Sequence, residues 1–441
     1  MKTIIRFFLI FLCLSSVLPA ARAVVPPPDG GYPNFTTAEG TKALKNLTTG
    51  SANTAVGWFS LFTDATGSFN TATGAGSLLF NTADENTAFG AAALLFNTTG
   101  INNTAVGAAA LLHNTIAEEN TATGAFALSS NTGGDFNTAT GAFALWVNTT
   151  GERNTATGDS AMFSNTIGNH NTATGNTALG FNTTGAQNTA TGASALFNNT
   201  SGGGNTASGV SALLSNTAGN FNTAVGINAL NINMTGNNNI ALGFSAGSNI
   251  TGDNNIDIGS TGGGNESGTI RIGQSGTQTT TFIAGVRGVT TGNMNAVPVL
   301  IDSVGQLGTV SSSKRFKKEI KPMNSTSEAI LALKPVTFHY KSDDTNTLQF
   351  GLIAEEVAGV NPDLVVRDEK GDIYTVRYDA VNAMLLNEFL KEHRKLEQLR
   401  KDFDSKIAGQ QKQIEALTAG LQRVSARLEL KAAAPQTVLN Q

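Results

Sequence analysis

The pentapeptide Asn-Thr-Ala-x-Gly starts at Asn53, Asn70, Asn86, Asn103 and Asn120 and returns every 17 residues, once after 16, as far as Asn222. It weakens at Asn239-Ile240-Ala241-Leu242-Gly243. Eight residues after each Asn stands a large apolar residue, from Leu61, Leu78 and Leu94 through Leu145 and Met162 to Leu213 and Leu230. A unit this short, with so few large apolar side chains, cannot bury a core alone, so the units must stack. Asn, Thr and Gly recur every few residues and each disfavours a helix interior. Two short strands and two Gly/Asn turns per coil fit the length, which predicts a parallel β-roll or β-helix. About twelve coils at about 4.8 Å each make a rod of roughly 60 Å. Its interior column should be Ala and Gly with one Leu per coil, thin enough to suggest packing against other chains.

Around the repeat the chain divides into unlike segments. Lys2 and Arg6, the apolar run Phe7 to Leu18, and Ala21-Arg22-Ala23 read as a signal peptide over 1–23, so export to the extracellular space or cell surface is expected. The only cysteine, Cys13, lies within it, and the mature chain is expected to carry no disulfide and no lipid. Pro26, Pro27 and Pro28 mark a stiff linker over 24–42. The repeat rod is placed at 43–254 and a β-rich stalk at 255–311, where the 17-residue spacing dissolves. No later stretch approaches the length of apolar sequence that spans a membrane, so no membrane span is expected after signal removal. A formal charge of −4 gives no basic face for nucleic acid, which is excluded as a partner. No metal cluster or cofactor motif is present, so no cofactor is expected.

The N-T-A-x-G-x-x-A-L units resemble the head repeats of trimeric autotransporter adhesins, although those units are usually shorter. That resemblance implies a trimeric β-roll with an adhesive role. Thr121 and Thr123 lie on one strand face, and the pair recurs through Thr189 and Thr191 in five consecutive coils. A flat threonine ladder is similar to what β-helical ice-binding proteins present, which leaves a surface-binding rod for ice, glycan or mineral as the alternative. Tripeptides of the form Asn-x-Ser/Thr match glycan acceptors, but a repeat built of Asn and Thr produces such matches by chance.

After Ser311 the composition changes. Lys334 to Lys341 alternates like a strand, Gln349 to Val357 reads as a strand entering a helix, and Leu364 to Val376 as a hairpin turning near Lys370-Gly371. Asp379 can cap a helix from Ala380. Leu386, Ile407, Ile414, Leu421 and Leu428 at a, with Phe389, Leu396, Phe403, Leu417 and Val424 at d, form a heptad seam interrupted by His393, Arg400 and Gln410. A coiled coil over 386–430 and a tail over 431–441 follow.

The junction Ser311 to Ile320, SSSKRFKKEI, carries the candidate chemistry. A serine five residues before a lysine can supply a nucleophile and a base, provided burial or neighbouring cations favour the neutral amine. Lys314, Arg315, Lys318 and Lys321 provide such cations. On the residues alone both Ser312 with Lys317 and Ser313 with Lys318 satisfy the spacing.

The segment from Ser312 to about Leu399 resembles the intramolecular chaperone domain at the C-terminus of phage tailspikes and tail fibres of the endosialidase type. The family's junction reads Ser-Asp-x-Arg-x-Lys, which Ser312, Arg315 and Lys317 match, while Ser313 stands in place of the aspartate. Gly351 to Val357, GLIAEEV, is also similar to the family. The resemblance implies a homotrimer and an autoprocessing domain over 312–385 that helps a β-rich fibre fold. It further implies a single self-cleavage between Ser311 and Ser312, with Ser312 as nucleophile, Lys317 as base, and Arg315 and Ser313 in support. The fold class expected for the whole chain is mainly β: a parallel rod of 17-residue repeats, a β-rich stalk, and a small α+β domain ending in a coiled coil.

Overall fold

A computed structural model describes residues 33–287, 291–293, 295–368 and 370–432. The expected signal segment with Cys13, the first part of the expected linker and nearly all of the expected tail lie outside the described residues. The chain forms two compact units that divide between Ile283 and Ala284.

The first unit is a parallel β-solenoid. Fifteen strands, from Thr37–Glu39 to Ile270–Ile272, stack in sequence order as one sheet. Its fourteen steps, at about 4.8 Å each, give a rod of about 67 Å. The sheet therefore begins within the stretch expected as linker and runs past 254 into the expected stalk. Each strand is only three residues long, as in Thr155–Thr157, with the outer two side chains exposed and Ala156 buried. The register is strict: Ala139, Ala156 and Ala173 lie directly beneath one another, flanked by their threonines. One strand per coil, not the expected two, is present. The segment after it turns too tightly for extended pairing, and its leucines lie in the left-handed region, with φ of 50° at Leu128 and 51° at Leu145.

That conformation costs a non-glycine residue about 1–3 kcal/mol. Glycine would remove the strain but leave the interior empty. Leu145 is wholly buried, and burying a leucine stabilises by about 1.5–3 kcal/mol, so filling the column offsets the backbone cost. Gly175, at the end of its strand, is required as glycine. Its φ is +138°, and a Cβ there would meet the Gly192 carbonyl oxygen at 2.6 Å.

The interior also holds two asparagine ladders, which the expectation of Gly/Asn turns does not include. In the first, the Asn137 Oδ1 accepts from the Asn154 backbone N–H at 3.0 Å, and Asn154 Nδ2 donates to the Gly168 carbonyl at 2.8 Å. In the second, Asn148 Nδ2 donates to Asn131 Oδ1 at 2.8 Å, and Asn165 Nδ2 donates to Asn148 Oδ1 at 2.8 Å. Each buried amide is thus satisfied by the coils above and below, which is what a polar interior requires. Asn148, within the acceptor-like Asn148-Thr149-Thr150, is fully buried and closed to a glycan in the folded rod.

The ladder and the alanine column end differently. Ile250 stands where the next ladder asparagine would fall, and Asn233 Oδ1 is left without a partner. Asp257 replaces the column alanine, paired in register with Ala241 on one side and Arg271 on the other. It is buried, and neither carboxylate oxygen has a hydrogen-bond partner among the described residues. Burial and the nearby Glu266 carboxylate push its carboxyl up to about 6, against weaker opposing effects of Ser260 and Arg271. The Arg271 guanidinium is engaged by Glu266 at 2.7 Å.

The second unit contains three short antiparallel pairs and two α-helices among its described residues. Leu300–Ile301 pairs with Leu307–Gly308, Val336–Phe338 with Gln349–Gly351, and Val365–Arg367 with Ile373–Val376. Helix α1 (Ala354–Val360) follows the second pair, and helix α2 (Tyr378–Ala432) runs unbroken for 55 residues. Asp379 is the second residue of α2 rather than its cap, because the helix starts at Tyr378, two residues before the expected Ala380. The core is small: Val357, Leu364, Val376 and Met384 are buried, with Met323, Ile330, Leu333 and Leu352 packed against them. Among the described residues no helix is long and apolar enough to cross a membrane.

Candidate functional site

The junction leaves the hairpin of Leu300–Ile301 and Leu307–Gly308, whose turn is held by Asp302. Its carboxylate accepts from the Val304 and Gln306 N–H groups at 3.1 and 2.9 Å. Beyond Val310 the backbone is irregular until a single 3₁₀ turn, Lys314–Phe316. Phe316 N–H donates to the Ser313 carbonyl and Lys317 N–H to the Lys314 carbonyl, both at 3.1 Å. This one turn brings residues five apart in sequence to one side of the chain.

Lys317 Nζ consequently donates to Ser312 Oγ at 3.1 Å. With the amine neutral, the same approach lets nitrogen accept the serine proton, the geometry a general base requires. Of the two pairs that satisfy the spacing, this is the one in contact. Ser313 instead donates its N–H to Ser311 Oγ at a long 3.4 Å. The Arg315 guanidinium lies over the Phe316 ring, 4.8 Å from its centroid, and is not directed at Ser312. Ser311 through Lys321 are all exposed, and none of the cations in this run forms a salt bridge among the described residues. In the single chain the Ser312 hydroxyl and the Lys317 amine are thus in contact, and both are exposed to water.

A second polar constellation, which the sequence reading missed, ties the domain to its long helix. Ser327, buried in the 3₁₀ segment Asn324–Ala332, donates to Glu388 Oε1 on α2. Asn387 Nδ2 donates to Ser327 Oγ at 2.6 Å, and Lys391 Nζ reaches Glu388 at 2.7 Å and Glu328 at 3.1 Å. Lys391 and Ser327 together hold the Glu388 carboxyl below its usual range. The spacing of about 60 residues between partners leaves no local signal to find. Nearby, the Tyr378 hydroxyl accepts from the Leu352 N–H at 3.0 Å and pins the start of α2 to the segment after the second strand pair.

The heptad positions of α2 remain uncovered in the single chain: Phe389, Leu396, Phe403, Ile407, Ile414, Leu417 and Leu421 are all exposed. Among the described residues no group of three or more His, Cys, Asp or Glu is placed to hold a metal ion.

Residues 312–366 match the peptidase S74 family, described as chaperone of endosialidase. The matched segment begins at Ser312 and ends within the strand Val365–Arg367, so the last strand and α2 lie beyond it. No curated protein and no solved structure matches this chain. The chain is a parallel β-solenoid followed by a C-terminal segment similar to the chaperone of endosialidase.

Proposed function

We propose that this protein is the subunit of an exported homotrimeric fibre, adhesin-like in role, whose C-terminal domain assists assembly and then releases itself by one cut between Ser311 and Ser312. The observation that carries this reading is the contact between Lys317 Nζ and Ser312 Oγ at the first residue of the family match. The uncovered heptad seam of α2 supports assembly, because a long helix with an exposed apolar stripe gains stability by pairing with copies of itself. Three copies rather than two follows from the likeness to tail-fibre chaperones.

In this mechanism Lys317, as the neutral amine, takes the Ser312 hydroxyl proton while Oγ bonds to the Ser311 carbonyl carbon. The Ser311–Ser312 C–N bond breaks, and the departing Ser312 nitrogen takes that proton back. Water then hydrolyses the resulting ester, leaving a Ser311 carboxylate and a free Ser312 amine. The reaction is single-turnover, since the nucleophile is part of the substrate. Assembly supplies what the isolated junction lacks: burial that favours the neutral amine. Peptide mass mapping of assembled protein tests the proposal. A C-terminal fragment starting at Ser312, abolished by Ser312→Ala and by Lys317→Ala, is expected; an intact Ser311–Ser312 bond in well-folded assembly would overturn it.

The exposure of Ser312 and Lys317 favours a second reading, in which the domain stays attached as a permanent clamp and the rod binds a surface such as ice, glycan or mineral. The same mass measurement separates the two.

A further inference from the structure

Helix α2 presents two faces over its first turns. Ala380, Val381 and Met384 pack into the core of the second unit, and Asn387, Glu388 and Lys391 continue the same face in steps of three and four residues. The seam residues Leu386 and Phe389 stand two residues from Met384 and Lys391, about 160° round the helix, and both are exposed. One stretch of helix therefore carries the domain on one side and the apolar seam on the other. What it holds there is the 3₁₀ segment Asn324–Ala332. Asn387 Nδ2 donates to the Asn324 carbonyl at 3.2 Å as well as to Ser327, and Lys391 bridges Glu328 and Glu388.

On its C-terminal side the junction is held at this cluster. Ser311 through Pro322 are all exposed; Met323 is the first residue beyond them to pack against the core, and Asn324 the first whose backbone is bonded to α2. Seven residues separate Lys317 from Asn324, a tether of at most about 25 Å. We propose that Ser327, Asn387 and Glu388 are positioning residues for the self-cleavage: they fasten this tether to α2, so that pairing of the seams fixes where Lys317 lies and carries it out of water. The inference rests on the self-cleavage reading and names the link through which assembly reaches the junction. A buried polar set suits that task better than apolar packing. Ser327 is fully buried and Glu388 nearly so, and the hydrogen bond between them exists in one alignment of the segment on the helix. Sliding the segment by a residue would strand both groups without partners, a cost that apolar packing does not impose.

The test follows the cut in full-length chains made by cell-free synthesis, by gel and peptide mass, with light scattering of the same samples. Ser327→Ala removes the hydrogen bond to Glu388, and Lys391→Met removes both of its ion pairs while sparing the serine. Both should reach the parent's assembled mass, since neither touches the seam, and either one that assembles carries the comparison. Each should cut roughly tenfold more slowly at about pH 7, where a lysine in water is almost wholly protonated. At about pH 10 a substantial share of the amine is neutral in water too, and the rate should return to within about threefold of the parent. Lys395→Met, which loses only the exposed pair with Glu392 on the same helix, should cut as the parent does. Cutting at the parent rate, slowing by the same factor at both pH values, or equal slowing by Lys395→Met would overturn the positioning role and leave self-cleavage standing. So would failure of both variants to assemble, which would make the cluster part of the assembly itself. A parent chain that assembled and stayed uncut would overturn both readings.

Discussion

Replacing Asn148 with alanine should open the rod locally without unfolding it. Asn148 Nδ2 donates to Asn131 Oδ1 and to the Gly151 carbonyl, and Asn148 Oδ1 accepts from Asn165 Nδ2. The Gly151 carbonyl keeps a donor in Asn137 Nδ2 at 2.8 Å, so it is not orphaned. Asn165 keeps its bond to the Gly168 carbonyl at 3.0 Å but loses the partner of its other amide proton. Two buried polar groups are left unsatisfied, Asn131 Oδ1 and one Asn165 N–H, at about 1–3 kcal/mol each, for a total near 4 kcal/mol. A loss of that size raises the local opening equilibrium by roughly a thousandfold. Hydrogen exchange of peptides spanning 131–168 reads it directly, since stacked coils open as neighbours. Thr157→Ala, at an exposed hydroxyl without a protein partner, is the control and should change stability by no more than about 0.5 kcal/mol. If Asn148→Ala exchanged like the control, the asparagine ladders would not be what holds adjacent coils together.

Asp257→Ala, which restores the column residue, should stabilise the last coils at pH 7 and flatten their pH dependence. The Asp257 carboxyl sits at about 6 when folded against 3.8 ordinarily, so ionisation costs the folded state and stability falls as pH rises from about 4 to 6. Screening at the end of the rod limits the effect to roughly 1–3 kcal/mol; a parent rod with flat stability over that range would refute the assignment. Ile414→Asp with Leu417→Asp should dissociate the assembly by light scattering and slow the cut, although both residues lie about 100 residues from the junction. Ser327→Ala should speed exchange in 324–332 by releasing that segment from Glu388, while leaving the far end of α2 unaffected.

Much of the rod was legible because its period is explicit. A 17-residue recurrence with Ala and Leu at fixed offsets forced stacking, and Ala139, Leu145 and their counterparts are the buried columns. Residue type hid the ladders: Asn148 does stand at a turn, as its ordinary preference predicts, but its side chain also bonds the asparagines of the coils on either side. Yet Asn137 and Asn148 recur at a fixed separation within the unit, and a polar residue repeated at coil spacing can satisfy itself on its own copies. The count of strands failed for a related reason, since left-handed leucines are so disfavoured locally that only the stacked context makes them affordable. In the second unit the strands, hairpin and long helix followed alternation and heptads. The spacing allowed the meeting of Ser312 and Lys317 as one of two pairs within reach of a single turn, and the family resemblance chose it, whereas Ser327 and Glu388 meet only through tertiary folding.

A stack of identical coils has no intrinsic length: every finished coil offers the next one a complete strand edge, and the edge of one rod could template another. The chain limits this by changing what the last coils expose. Where a column of buried alanines would invite continuation, the final in-register positions carry Asp257 and then Arg271, the latter half-exposed and held by Glu266. A foreign coil added beyond Ile270–Ile272 would have to bury that guanidinium against its own apolar column, a desolvation few contacts could repay. The buried Asp257 and the exposed, Glu266-held Arg271 thus make the last strand a poorer template for a further coil than the alanine-bearing strands before it.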